Sequence, residues 1–407
     1  MPGPMTEPAS STSIPYQSLP GLFWRFLRFG LLAWGGPVAQ IAMLRQDLVD
    51  EEKWISSERF NRVLAVYQVL PGPEATELCV YFGMLARGRS GAVLAGLGFI
   101  LPGFLLMLLL AWFYTAFSLR SPLFQAVFMG MQPAVGALIV RAVQRIGEHA
   151  LRADRWLWGL AILAGIAQLL NASFLITLLT AGVIHALARR GRATAALALG
   201  AAFGAWLLFN GMGLIPALGS AAAAAVVTSP GSAPSLPALL VSGLRAGLLT
   251  FGGAYTVIPF LQRDAVQVGG WLTNAQFLDG LALSGLLPAP LIIFSTFIGY
   301  LGGGLIGAVV ITAAIFFPAF AFTLFGHEMV ESLVNRTPVH AFLDGVTAGV
   351  VGLIAATALG ILNGTVVGLH AWVIFAAALL VLFRLKAKWT IAAVILASGA
   401  CGLIFLM

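Results

Sequence analysis

Residues 91–117 and 304–326 carry no charged side chain. Each run is long enough to cross a bilayer, whose hydrocarbon core takes ~20 residues of helix. Such runs recur along the chain, and no soluble surface can be built around them. Of the 407 residues, 60% are apolar and 9% charged, against about a quarter charged in soluble domains. The solvent for this chain is therefore lipid. At ~20 residues per span the length holds roughly ten to fourteen helices. The apolar runs are continuous rather than alternating and rich in Ala, Leu and Gly, which favours helices over a β-barrel. The expected fold is all-α and polytopic, with about thirteen transmembrane or re-entrant helices. Their segments are 21–44, 60–86, 91–117, 123–146, 156–170, 172–188 and 194–212, then 237–262, 275–301, 304–326, 339–362, 366–383 and 389–407. Residues 1–20, rich in Pro, Ser and Thr and without the pattern of a signal peptide, read as a disordered cytoplasmic tail.

The chain is also duplicated. A shift of 217 positions lays Arg28 on Arg245, Gly35-Gly36 on Gly252-Gly253, Asp47 on Asp264, Trp54 on Trp271, and Pro71 and Pro73 on Pro288 and Pro290. After one deletion the match continues with Gly91 on Gly307 and Pro102 on Pro318. The organisation read from this is a first repeat with a connecting helix (21–212), a linker (213–236) and a second repeat (237–407). Six helices per repeat plus one connecting span would place the second copy upside down. The charges agree. Arg87 and Arg89 follow the second helix, Arg141, Arg145, Arg152 and Arg155 surround the turn after the fourth, and Arg189, Arg190 and Arg192 follow the sixth, which marks these even-numbered turns as cytoplasmic. Their counterparts at 302–304 and 363–371 carry no Lys or Arg, whereas Arg384, Lys386 and Lys388 answer the uncharged turn at Asn171. This predicts a cytoplasmic N-terminus and a periplasmic C-terminus. Residues 45–62, with Arg45, Lys53, Arg59 and Arg62, fall on the wrong side unless the first helix is re-entrant at Gly35-Gly36.

Inverted repeats with broken helices point to a secondary transporter with its site near the membrane midplane. The breaks are Gly35-Gly36-Pro37 and Pro71-Gly72-Pro73, with their copies Gly252-Gly253 and Pro288-Ala289-Pro290. A helix restarting after Pro or Gly offers free N–H groups and a positive dipole end, and several such ends would cradle an anion. The same residues also serve close helix packing and kinks. Arg28 and Arg245 suit an oxyanion or, alternatively, the membrane interface. Gln40, one turn past Gly36, is a candidate hydrogen-bond donor. Glu74 and Glu77 have apolar counterparts, Leu291 and Phe294. They either cap a helix start or carry a coupling proton, since a charge buried in lipid is costly. Asp47 and Asp264, beside Arg45 and Arg263, read as ion pairs at the membrane edge. The basic cluster at 189–192 reads as a topology signal. Cys79 and Cys401 and the scattered His149, His185, His327, His340 and His370 form no metal or disulfide pattern. No cofactor, nucleic-acid partner or catalytic set is expected, and a homodimer is the common default.

The stretch Phe29-Gly30-Leu31, Gly35-Gly36-Pro37, Glu52-Lys53-Trp54-Ile55 and Pro71-Gly72-Pro73-Glu74-Ala75-Thr76-Glu77-Leu78 closely resembles the chromate ion transporter family. The second copy, Thr250-Phe251-Gly252-Gly253 to Pro288-Ala289-Pro290, resembles that family's second domain, so the likeness is to its long, two-domain form. It implies an inner-membrane protein that exports chromate under the proton-motive force, with sulfate as a related oxyanion. The second copy departs from the pattern, reading Gly-Gly-Ala and Pro-Ala-Pro. A sulfate carrier or chromate/sulfate exchanger is the alternative within transport. A non-transporting membrane subunit of a larger complex is the alternative outside it.

Overall fold

The computed structural model describes residues 14, 16–68, 70–118, 121–151, 154–211, 233–251, 253–334, 337–385 and 387–405. Most of the expected tail, most of the expected linker, Arg152, Gly252 and Lys386 lie outside the described residues. Among the described residues there are fifteen α-helices and no strand. The first copy runs α1 (Leu19–Leu31), α2 (Gly36–Arg45), α3 (Ser57–Tyr67), α4 (Glu74–Phe113), α5 (Pro122–Leu151), α6 (Arg155–Leu169), α7 (Phe174–Arg189) and α8 (Ala193–Gly211). The second runs α9 (Leu236–Leu248), α10 (Ile258–Gln262), α11 (Asn274–Gly285), α12 (Phe294–Val334), α13 (Thr337–Thr365), α14 (Leu369–Arg384) and α15 (Thr390–Phe405). Both copies start alike. Ser18 Oγ accepts from the Gly21 N–H at 3.1 Å and Ser235 Oγ from the Ala238 N–H at 3.3 Å, each one residue before a Leu-Pro first turn.

The long helices α4 and α12 are hairpins. Arg87 (φ −145°, ψ 29°) and Gly88 (φ 60°, ψ −150°) reverse the chain in α4, and Gly303 (φ −143°, ψ 23°) and Gly304 (φ 60°, ψ −153°) repeat the turn in α12. In a straight helix residues eight apart are separated by ~12 Å. Here Gly83 meets the Gly91 carbonyl and Gly299 meets the Gly307 carbonyl, with Thr296 and Thr312 hydroxyls 2.8 Å apart one step further along. The first arms, 74–86 and 294–302, are too short to cross a bilayer alone. So is α1, whose thirteen residues rise ~20 Å. The expected segments 21–44, 60–86, 237–262 and 275–301 are thus each two shorter pieces. By contrast α4 runs through Pro102 and α12 through Pro318 without a break.

Close approach of small residues fixes the packing. Gly30 of α1 lies against the Phe99 carbonyl in the second arm of α4, and Gly247 of α9 repeats the contact at Ile315. Across the copies, Gly72 faces Ala319 while Ala289, the counterpart of Gly72, faces Gly103, the counterpart of Ala319. The outer helices are exchanged. Helix α5 of the first copy packs on α14 and α15 of the second, where Gly130 meets Ser398 and Gly402. Helix α13 of the second packs on α6 and α7 of the first, where Gly345 meets Ala181 and His185. Trp24, Leu109, Ile162, Leu197 and Phe325 point outward, the apolar exterior of a protein solvated by lipid.

Candidate functional site

The fold brings the four breaks together. After α1 the chain turns through Gly35 (φ +92°) and Gly36 (φ +78°), conformations open to glycine, and restarts as α2 with Pro37 in its first turn. Gln40 ties this turn down: its Nε2 donates to the Ala33 carbonyl at 2.9 Å. The Gly72 N–H donates to the Thr250 carbonyl at 2.8 Å and joins the second break to the third. At the third break Gly253 leads into a 3-10 turn, Ala254–Val257, whose Thr256 hydroxyl donates to the Gly253 carbonyl at 2.7 Å. The fourth lies at Pro288-Ala289-Pro290, before a 3-10 turn, Leu291–Ile293. Gly35, Gly36, Tyr255, Ser284 and Ala289 line a small cavity of about 30 Å³ between them.

Tyr255 also borders a larger cavity of about 560 Å³. Its inner wall is built from the starts of helical segments: Pro37 and Val38 of α2, Glu74 of α4, and Gly253 and Tyr255 at the third break. Helix α5 contributes Arg145, Glu148 and His149, and α13 contributes His340, Asp344 and Thr347. His340 Nδ1 lies 3.1 Å from Asp344 Oδ2. Among the described residues Arg145 has no ion-pair partner, although it lies within electrostatic reach of Glu74 and Tyr255. Arg141, one turn earlier on α5, also reaches Tyr255. The cavity thus holds the guanidinium of Arg145, three helical N-terminal ends, the exposed Glu148, Asp344 beside His340, and one buried carboxyl group, Glu74. That combination suits a small anion whose binding responds to a proton.

The family described as chromate transporter matches residues 21–227 and, a second time, 237–403. The chain belongs to this family. It is 52% identical to a chromate transport protein of Pseudomonas aeruginosa, over 98% of this chain and 96% of that one. It is 31% identical to a chromate transport protein of Cupriavidus metallidurans, over 89% and 87% of the two chains. A short uncharacterized transporter of Bacillus subtilis, 29% identical, matches only 38% of this chain but 85% of its own length, as a single copy would. No solved structure matches. The chain is therefore a polytopic membrane protein of a transporter family built from two copies of one unit.

Within this family member the expected site residues separate into three groups. Pro37, Glu74 and Gly253 line the large cavity, and Gly35 and Gly36 the small one. Pro71, Gly72, Pro73, Pro288 and Pro290 are buried in the breaks that shape both, as is Gln40. Gly252 lies outside the described residues. Glu77 is fully buried one turn behind Glu74, with both carboxylate oxygens unpartnered and Oε1 within 2.7 Å of where a Cβ on Gly72 would sit. The two repeated arginines are elsewhere. Arg28 is exposed on α1 and lines neither cavity. Arg245 is spent on buried Asp264, which also accepts from the Ser242 hydroxyl at 2.7 Å. The ion pairs expected at Asp47 and Asp264 are re-partnered: Arg45 reaches Asp50 at 3.7 Å, and Arg263 donates to the Ala172 carbonyl at 3.3 Å.

Arg141 and Arg145, expected near the end of the fourth segment (123–146), sit within α5, which continues five residues further to Leu151. Four residues apart, they share one face of α5.

Proposed function

We propose that this chain carries chromate out of the cytoplasm through the Arg145 cavity by alternating access. The unpaired Arg145 guanidinium in a cavity walled by helix starts is the observation that carries this reading. A tetrahedral dianion placed there gains a bidentate partner in Arg145, N–H groups from α2 and the third break, and the Tyr255 hydroxyl as donors. Sulfate has the same shape and charge and competes for the same donors. The protein lies in the inner membrane, its N-terminus cytoplasmic and its C-terminus periplasmic. The copies run in opposite senses, a reading supported by the charge bias that changes sides.

Glu74 sets the coupling. An ionised Glu74 repels the arriving anion and attracts Arg145, while a protonated Glu74 does neither. The proton therefore travels with the anion, and the loaded carrier moves one negative charge rather than two. A membrane potential, negative inside, drives that charge outward by about 2.3 kcal/mol per 100 mV. The proton-motive force thus acts through its electrical part.

Liposomes containing only this chain, loaded with chromate, test the reading. An imposed inside-negative potential accelerates efflux, external and internal sulfate compete, and Glu74→Gln keeps potential-driven efflux but loses its response to a pH gradient. No flux from folded protein at any potential overturns the carrier reading. Efflux accelerated by an inward proton gradient at zero potential overturns the coupling.

A further inference from the structure

The geometry points to a binding groove for an anionic glycerophospholipid between α6, α7 and α8. A groove of about 500 Å³ opens there, on the far side of α6 and α7 from the transport cavity. Gly159, Leu163, Ile184, Leu197 and Gly200 make its walls apolar, and Arg155 and Trp156 stand at one end. The same end carries the turn with Arg189, Arg190 and Arg192, the last of them one turn before Ala196 in the groove wall. All four arginines are exposed, and among the described residues none has an ion-pair partner.

Arg155 is out of place as a structural residue. It occupies the first turn of α6, where the helix dipole disfavours a cation. The neighbouring carboxylate is already committed: Asp154 caps α6 through the Trp156 N–H at 2.9 Å and faces buried His185 at 3.4 Å. A lipid phosphodiester at the mouth, with its single negative charge, would gain partners from this cluster of four unpaired arginines while its acyl chain fills the slot that Gly159 leaves open. A topology signal needs the charges but not the slot.

Native mass spectrometry of the full chain, delipidated and re-supplied with defined lipids, tests this. Phosphatidylglycerol is expected to be retained over phosphatidylcholine of the same chains, and glycerol 1-phosphate not at all. Arg155→Gln lowers retention of phosphatidylglycerol about fivefold and leaves phosphatidylcholine unchanged. Gly159→Leu, which enters open space, removes both lipids while the melting temperature without lipid stays put. Equal retention of the two lipids, wild-type retention by Gly159→Leu, or a lipid-free dimer joined through this face overturns the inference. Glycerol 1-phosphate binding as well as the lipid would reduce the site to a phosphate site and overturn it too.

Discussion

Replacing Arg245 separates a structural arginine from a substrate ligand. Asp264 is 5% exposed and accepts from Ser242 and from Arg245, whose own side chain is 27% exposed and whose guanidinium lies 5.3 Å from the Phe174 ring centre. Arg245→Met leaves the buried carboxylate with one hydroxyl. Losing one partner of a buried pair costs 3–5 kcal/mol, and the partial exposure of Arg245 puts this case near ~3 kcal/mol. Arg263 lies 5.2 Å over the same ring and is placed to offset part of that loss. Arg245→Met combined with Asp264→Leu removes both charges and leaves an apolar contact, so stability should return to within ~1 kcal/mol of the parent. The four proteins form a double-mutant cycle with a coupling of ~2–3 kcal/mol. Unfolding in mixed micelles reads the stability, and chromate efflux from liposomes reads function. The double variant should transport. A stable double variant without flux, or a single Arg245→Met of full stability without flux, would return Arg245 to the substrate site and refute the reasoning.

Arg145→Gln should weaken chromate by ~10–100-fold, the worth of one charge-assisted hydrogen bond (~1.5–3 kcal/mol), and leave the melting temperature unchanged because no ion pair is broken. The concentration dependence of efflux measures the first and a thermal melt the second. Gly88→Val should cost ~1–3 kcal/mol through backbone strain alone, since φ 60° with ψ −150° is open essentially to glycine and a Cβ there meets nothing within 4 Å, and Gly88→Asn should cost about as much, because asparagine tolerates the left-handed region at positive ψ and not this one. Thermal melts of the two variants check this.

The helices and the duplication were legible because both are written in local pattern. Continuous apolar runs require lipid, and matched Gly and Pro positions mark breaks wherever they fall. The hairpin turn at Arg87-Gly88 lies between the expected segments 60–86 and 91–117, and that at Gly303-Gly304 falls at the start of 304–326, so sequence placed both to within a residue. The exchange of α5 and α13 between copies left no such trace, because it is set by backbone contacts at Gly130, Gly402 and Gly345 hundreds of positions apart. The site was half legible. Glu74 and the breaks announce themselves by cost, a buried acid and broken helices. Arg145 does not, because an arginine near a helix end looks the same whether it faces a cavity or a headgroup. Arg28 and Arg245 stand at matched positions, but repetition also preserves what the common unit needs for packing, and in the second copy Arg245 is fastened to the repeated acid Asp264.

The exchanged helices also set a timetable. Gly130 leaves the ribosome ~270 residues ahead of Gly402, an interval of roughly 15–50 s of synthesis. For that time α5 must rest in the bilayer with its small-residue face covered by lipid, inserted but unassembled. It meets α13 and α14 first, but its burial cannot be completed until α15 arrives. Biogenesis of the transporter is accordingly late-closing, and the copy made first is the copy that waits.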